Sequence, residues 1–100
     1  MKTNSMFIVT LKFSENKGRA HELMQGHNEW INDGIKDDVF LMVGSLKFNL
    51  GGVIVAYNST FSDIQVRVEK DPFVIENIVS FEIIEFTPAK LNNRLDFLFR

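Results

Sequence analysis

Two short segments of this chain are apolar at every position, and they limit the folds that it can adopt. They are residues 39–43, with the sequence VFLMV, and residues 53–56, with the sequence VIVA. A strand with one face in water alternates apolar and polar side chains, whereas a strand without alternation is buried on both faces. Both segments are far shorter than the roughly 20 residues that a membrane-spanning helix needs. The chain is therefore expected to form a sheet that is covered on both sides.

Four strands are predicted in all. Residues 6–13 alternate, and Phe7, Val9, Leu11 and Phe13 share one face. The apolar segments lie in two further strands, at residues 39–46 and 52–57, which a hairpin loop at 47–51 joins. The last strand is predicted at residues 78–86, and Pro88 ends it.

Two helices are predicted between these strands. Residues 19–33 have an apolar stripe at helical spacing, and Gly34 fits a C-cap. Thr60, with Asp63, fits a capping box at the start of the second helix. That helix must end before Pro72, because a proline displaces the preceding residue from helical geometry. A short helix is expected to restart there, with Asp71 as its N-cap and Pro72 at its first position.

The order βαββαβ predicts a ferredoxin-like sandwich of the α+β class, a four-stranded antiparallel sheet with two helices on one face. A chain of 100 residues fits one domain, residues 1–100, with a core at about 6–88 and a tail at 89–100. Two helices can cover only one face of the sheet. A second copy of the same sheet would cover the other face and give a homodimer. Alternatively, the apolar tail at residues 91–100 folds back over its own sheet.

The composition restricts the partners of the chain. The formal net charge is -2, and both signs are scattered along the sequence, so neither nucleic acid nor an anionic membrane is an expected partner. Because there is no cysteine, disulfides and thiolate metal sites are excluded. The lack of cysteine fits a reducing compartment, and the first 13 residues lack the apolar run of a signal peptide. We expect a cytoplasmic protein.

His27 is the first candidate for chemistry, because it lies at the centre of the apolar face of the first predicted helix. A buried imidazole can act as a general acid or base, but it can also be a core histidine bonded to a backbone carbonyl. On position alone, the structural interpretation is favoured. His21 lies on a different face, six residues away, whereas two metal ligands on a helix need a separation of three or four. We expect no metal site and no cofactor.

Five further residues, at four places in the chain, are candidates, and each place also has a purely structural interpretation. The capping carboxylate of Asp71 is held rigidly and could also orient His27. Trp30, one turn beyond His27, could wall a pocket or simply pack in the core. Ser45 follows Gly44, where a ligand or another backbone could approach closely, but it has no recognisable nucleophile context. The pair Gly51-Gly52 could offer N–H groups to an anion, although a flexible hairpin is the favoured interpretation.

In this order and spacing, the motifs resemble the YciI-like family. They are His27 on the first helix, Gly44 after an apolar run, Gly51-Gly52 before the third strand, and Asp71-Pro72-Phe73 before the last strand. The resemblance covers residues 6–90. It implies a ferredoxin-like fold that pairs sheet to sheet into a dimeric α+β barrel, with His27 and Asp71 as the active-site pair beside the sheet. One related group removes chloride from a chlorinated hydroxyhydroquinone, and the muconolactone isomerases share the barrel.

Two classes of function follow from the sequence and the resemblance. The first is a cofactor-independent lyase, isomerase or dehydrochlorinase that acts on a small cyclic molecule. His27 would be the acid/base, Asp71 would orient it, and Trp30, Ser45 and Phe73 would contact the substrate. The second is a module on the same barrel that binds a metabolite or a protein without catalysis.

Overall fold

The computed structural model of the chain describes residues 5–99, and Phe99 by its backbone alone. Its strands are β1 (Met6–Phe13), β2 (Phe40–Ser45), β3 (Gly51–Ala56) and β4 (Val79–Phe86). Its helices are α1 (Ala20–Lys36), α2 (Phe61–Val68) and α3 (Pro72–Ile75), with 3₁₀ turns at Lys17–Arg19, Lys47–Asn49 and Asn93–Phe99.

The four strands form one antiparallel sheet in the order β2-β3-β1-β4. β1 lies in the centre, and Phe7 is opposite Ala56 of β3 on one side and Glu85 of β4 on the other. The helices pack on one face of this sheet. The predicted α+β fold, a ferredoxin-like βαββαβ sandwich, is confirmed.

The core lies between the sheet and the helices. Phe7 and Val9 of β1 are fully buried on the helix side, next to Ile54 of β3, as the alternation in β1 predicted. From the helices, Ile64 and Val68 of α2 reach the same core. This arrangement fixes the side of the sheet on which α1 and α3 must meet.

The starts of the short helices are as predicted. The Thr60 side chain accepts a hydrogen bond from the Asp63 N–H at the start of α2. The Asp71 side chain accepts one from the Phe73 N–H at the start of α3, with Pro72 at the first helical position. Both contacts satisfy backbone donors that the first turn of a helix leaves without a partner.

Gly34 is not a C-cap, because α1 continues to Lys36. Gly34 is helical and buried, and the Phe40 ring lies against its backbone. A Cβ on residue 34 would lie 2.2 Å from Phe40 Cδ2. A glycine is needed here because Phe40, the first residue of β2, packs directly on the helix. Sequence alone does not distinguish such a packing glycine from one that ends a helix.

The second face of the sheet carries apolar side chains that none of the helices in residues 5–99 covers. Met42, Ile84 and Phe86 are large apolar side chains on this face, and they are exposed by 61%, 48% and 41%. The tail covers only part of it. Leu98 is buried against Met6 and Tyr57, with Leu41 and Val55 beside them. The alternative in which the tail folds back over its own sheet therefore holds for Leu98, whereas the Phe99 side chain and Arg100 lie outside the described residues.

Within residues 5–99, no helix is both long enough and apolar enough to span a membrane.

Candidate functional site

The structure brings His27 and Asp71 into direct contact. His27 Nδ1 lies 2.8 Å from Asp71 Oδ1, although the two residues are 44 positions apart in the chain. The His27 side chain is 13% exposed and that of Asp71 is fully buried. Gly26 allows this approach, because a Cβ at that position would lie 3.2 Å from Pro72 Cγ. A Cβ at position 26 would push α1 and the start of α3 apart by a few tenths of an ångström.

Asp71 has two roles in this contact. Its Oδ1 accepts hydrogen bonds from His27 Nδ1 and from the Phe73 N–H, at 2.8 and 3.0 Å. Its Oδ2 is buried and has no hydrogen-bond partner among the described residues. A carboxylate that is already a cap therefore also fixes the imidazole, so the two interpretations of Asp71 are compatible. A buried oxygen without a partner costs stability, which a purely structural cap does not require.

Aromatic rings hold the imidazole in place. Phe73 stacks on His27 in parallel, with ring centroids 3.9 Å apart and 4° between the planes. Trp30 is stacked more loosely, at 5.9 Å and 27°. An ionised carboxylate only accepts hydrogen bonds, so Nδ1 is the protonated nitrogen. Nε2 has no bonding partner in residues 5–99, and in the neutral ring it carries a free lone pair.

A cavity of about 420 Å³ lies beside His27, between α1 and the end of the sheet where β2 and β3 are joined. Its volume falls within the range of small-molecule sites. The buried part of its wall is apolar, and neutral polar side chains lie towards solvent. Its lining residues are Leu11, Phe13, Met24, His27, Asn28, Ile31, Val43, Gly44, Ser45, Asn49, Gly51, Gly52, Phe73 and Val79.

Small residues in the sheet leave room for this cavity. Ser45 of β2 is opposite Gly52 of β3, and Gly52 is opposite Leu11 of β1. Since Leu11 belongs to the helix face, Ser45 and Gly52 lie on that face too. In the register of the sheet, they stand where larger side chains would reach towards α1.

The predicted substrate-contacting residues divide into two groups. Phe73 and Ser45 line the cavity. Trp30 does not line it, because its indole lies in the core, donates from Nε1 to the Arg67 carbonyl at 2.9 Å, and packs edge-on against Phe40. Its ring packs against the imidazole of His27 without lining the cavity. Sequence reasoning missed Asn28, although Asn28 is four residues from Met24 and three from Ile31, which is the spacing of neighbours on one side of a helix.

A second, larger depression of about 790 Å³ lies between α1 and α2, away from the His27 ring. Its walls are mostly polar and charged, and an ion pair between Arg67 and Asp37, at 3.0 Å, stands in it. Salt-bridged surface side chains of this kind are ordinary solvated structure. We assign the site to the smaller cavity, because only that cavity adjoins a histidine held by a buried carboxylate.

Metal ligands are not clustered in the described part of the chain. No group of three or more His, Cys, Asp or Glu side chains that could hold a metal ion occurs in residues 5–99. His21 lies on the exposed side of α1, and its Nδ1 bonds to the Gly18 carbonyl at 3.0 Å.

Comparison with known proteins identifies the fold but no family. No family model matches the chain, and no curated protein matches it. Among solved structures, it is similar to a 5-chloro-2-hydroxyhydroquinone dehydrochlorinase from Burkholderia phenoliruptrix, in complex with 2,5-dihydroxybenzoquinone. The TM-score is 0.68 at 13% identity, over 89% of this chain and 97% of that one. A putative antibiotic biosynthesis monooxygenase from Deinococcus radiodurans matches with a TM-score of 0.54 at 16% identity, over 89% and 96% of the two chains.

These likenesses show that the chain shares its ferredoxin-like α+β fold with both proteins. The identities are too low to carry more than the fold. The narrower resemblance to the YciI-like family stays a prediction.

Proposed function

We propose that this protein is a cofactor-independent enzyme of the lyase, isomerase or dehydrochlorinase type that acts on a small cyclic molecule. The observation that carries the proposal is the His27–Asp71 hydrogen bond of 2.8 Å beside a cavity of about 420 Å³. A core histidine needs a partner, but it does not need an adjoining cavity. The resemblance to YciI-like proteins and the fold shared with a dehydrochlorinase support the same reaction class.

The chemistry follows from the orientation of the imidazole. Asp71 accepts the Nδ1 proton, so Nε2 can take a proton from a C–H or O–H group of the substrate. The electron pair of the broken bond then forms a new double bond. In an isomerisation, an existing double bond opens and its electron pair takes the proton back from His27 at another atom. In an elimination, the leaving group departs with its electron pair, and His27 then releases the proton to water or to the leaving group. The imidazolium formed in between is stabilised by the buried carboxylate of Asp71.

Phe73 and Ser45 would contact the substrate in this reaction. Phe73 covers one face of the imidazole and lines the cavity, so it would position both the His27 ring and the substrate. Ser45 is exposed at the cavity and offers a hydroxyl to a polar substituent. In this scheme Trp30 positions His27 and does not contact the substrate.

The protein is also proposed to be a cytoplasmic homodimer. The uncovered face of the sheet, with Met42, Ile84 and Phe86, would pair with the same face of a second copy. A stable interface buries about 1,200–2,000 Å² in total.

Sedimentation of the wild type should give twice the chain mass, and Ile84→Glu should give monomers. Gln65→Glu, on the exposed side of α2, is the control with the same kind of added charge. A monomeric wild type would contradict the proposal.

The catalytic proposal is tested by incubating the purified protein with a metabolite mixture and following which compounds disappear. His27→Ala should abolish the consumption of any compound that the wild type consumes, while the variant stays folded. His21→Ala removes an exposed histidine from the same helix and should change nothing. Consumption that survives in His27→Ala would overturn the role of His27. A compound that the wild type retains without altering it would identify a binding module instead.

A further inference from the structure

The cavity beside His27 contains no charged side chain that could neutralise an anion. Within residues 5–99, its lining includes no lysine, arginine, aspartate or glutamate, and His27 is the one titratable group. Asn28, Ser45 and Asn49 supply amide and hydroxyl groups, which can bind polar substituents but carry no charge that would neutralise an anion.

The His27–Asp71 pair does not supply the missing positive charge. With a neutral imidazole, the pair carries the single negative charge of Asp71, and with a protonated imidazole its net charge is zero. An anionic ligand would therefore meet repulsion or, at best, a neutral pair. Moving a carboxylate out of water without a counter-charge costs several kcal/mol even after the protein relaxes.

Gly52, at the wall of the cavity, does not provide an anion site either. Gly52 lies in β3, a central strand, and its backbone is paired with Leu11 on one side and Ser45 on the other. Backbone groups in such a ladder are already engaged.

Lys17 is a cation that contacts two residues of this wall. Its Nζ bonds to the Asn49 carbonyl at 3.2 Å and stands 5.1 Å from the centre of the Phe13 ring. Its side chain is exposed and does not line the cavity. A solvated charge at this position is screened by water and salt.

We propose that the cavity selects an uncharged, ring-sized molecule with a hydroxyl, carbonyl or amide substituent, and that it rejects carboxylates and phosphates. This inference rests on the proposed function, because it specifies the substrate class of the same site. The ring would lie among Leu11, Phe73 and Val79, and its substituent would reach Nε2 of His27. Because the ligand arrives uncharged, charge develops only when His27 removes its proton.

The test compares two probes of nearly equal shape, para-toluamide and para-toluate, which differ in charge. NMR titration of the wild type would follow the imidazole signals of His27. We expect para-toluamide to shift them and to bind at least about tenfold more tightly than para-toluate, a difference of about 1.4 kcal/mol. Equal binding, or tighter binding of para-toluate, would overturn the charge selection and leave the proposed catalytic pair intact. If neither probe affects His27, the cavity is not a binding site and both proposals fall.

A pair of variants tests the cause of the selection. Asn28→Arg adds a cation to the wall of the cavity, and we expect it to strengthen para-toluate binding about tenfold. Gln65→Arg adds the same charge on the exposed side of α2, outside the lining of the cavity, and should leave the binding ratio of the two probes unchanged. If the ratio of para-toluamide to para-toluate binding is unchanged in Asn28→Arg, or changes equally in both variants, the lack of a cation in the cavity does not cause the selection against anions.

Discussion

Replacing Gly34 with alanine sets two effects of known size against each other. In the middle of an exposed helix, glycine to alanine stabilises by about 1 kcal/mol, because alanine loses less backbone entropy on folding. At position 34, however, the added Cβ would lie 2.2, 2.4 and 2.7 Å from three atoms of the Phe40 ring. Non-bonded carbon atoms are normally about 3.5–4.0 Å apart. The ring or the helix must therefore move by more than an ångström.

Phe40 has little space to move into. It is 2% exposed, its ring packs edge-on against Trp30 with centroids 5.1 Å apart, and the Arg67 guanidinium stands 5.9 Å away over its face. Overpacking of a filled core costs about 1–3 kcal/mol, and this close contact belongs at the upper end. After the helix-propensity gain is subtracted, we expect Gly34→Ala to lower the free energy of unfolding by about 2 kcal/mol.

Urea unfolding measures this loss, provided that the m value stays at that of the wild type. Gly26→Ala is the matched control, since it lies in the same helix and has the same propensity gain. Its Cβ would meet Pro72 Cγ at 3.2 Å, so a shift of a few tenths of an ångström suffices. We expect the free energy of unfolding of this variant to stay within about 1 kcal/mol of the wild type. If Gly34→Ala is as stable as Gly26→Ala, the Phe40 ring moves aside at little cost. That result would refute the argument that its contact with Gly34 requires a glycine.

Three further predictions concern Asp71, Tyr57 and the tail. Asp71→Ala should lower the free energy of unfolding by about 2–4 kcal/mol in urea, because it removes the cap and leaves the bonded nitrogen of His27 unpaired. Asp71→Asn keeps an oxygen acceptor, so its free energy of unfolding should fall clearly less than that of Asp71→Ala. Equal losses in the two variants would contradict the role of this oxygen. The hydrogen bond to Asp38 raises the pKa of Tyr57, so this bond stabilises the folded state fully below about pH 10 and is lost as the pH rises through the folded pKa. The melting temperature of Tyr57→Phe should therefore fall less steeply in alkali than that of the wild type, and parallel curves would refute the assignment. Leu98→Ala should cost about 2–3 kcal/mol in thermal or urea unfolding, whereas an unchanged stability would show that the docked tail is dispensable.

Much of the fold was predictable because local patterns and the fold agree. The alternation in residues 6–13 gave the bounds of β1, and the proline at position 72 marked the boundary between α2 and α3. The end of α1 was not predictable in the same way. Gly34 has the composition of a helix end, and only the position of the Phe40 ring shows that the glycine serves packing.

The candidate site was predictable only in part. The position of His27 on the apolar face of α1 followed from helical periodicity. Its contact with Asp71 depends on how α3 packs against α1, and the resemblance to a known family had to supply it. Trp30 and Phe73 are both aromatic and near His27, and the sequence does not tell which one lines a cavity. The Arg67 carbonyl that binds the indole comes from another helix, so local sequence does not reveal it.

The order of the strands also has a consequence for how the chain acquires its structure. β1 is made first but lies in the centre of the sheet, between strands that begin at residues 51 and 79. Contacts between residues far apart in sequence form slowly, because a long loop must close before they stabilise anything. The β2–β3 hairpin is local, so we expect it to form early, while β1 completes its pairing only after β4 has left the ribosome. Until then the apolar side chains of β1 are exposed to other chains. We therefore expect crowding and slow synthesis to promote aggregation through this strand before any other.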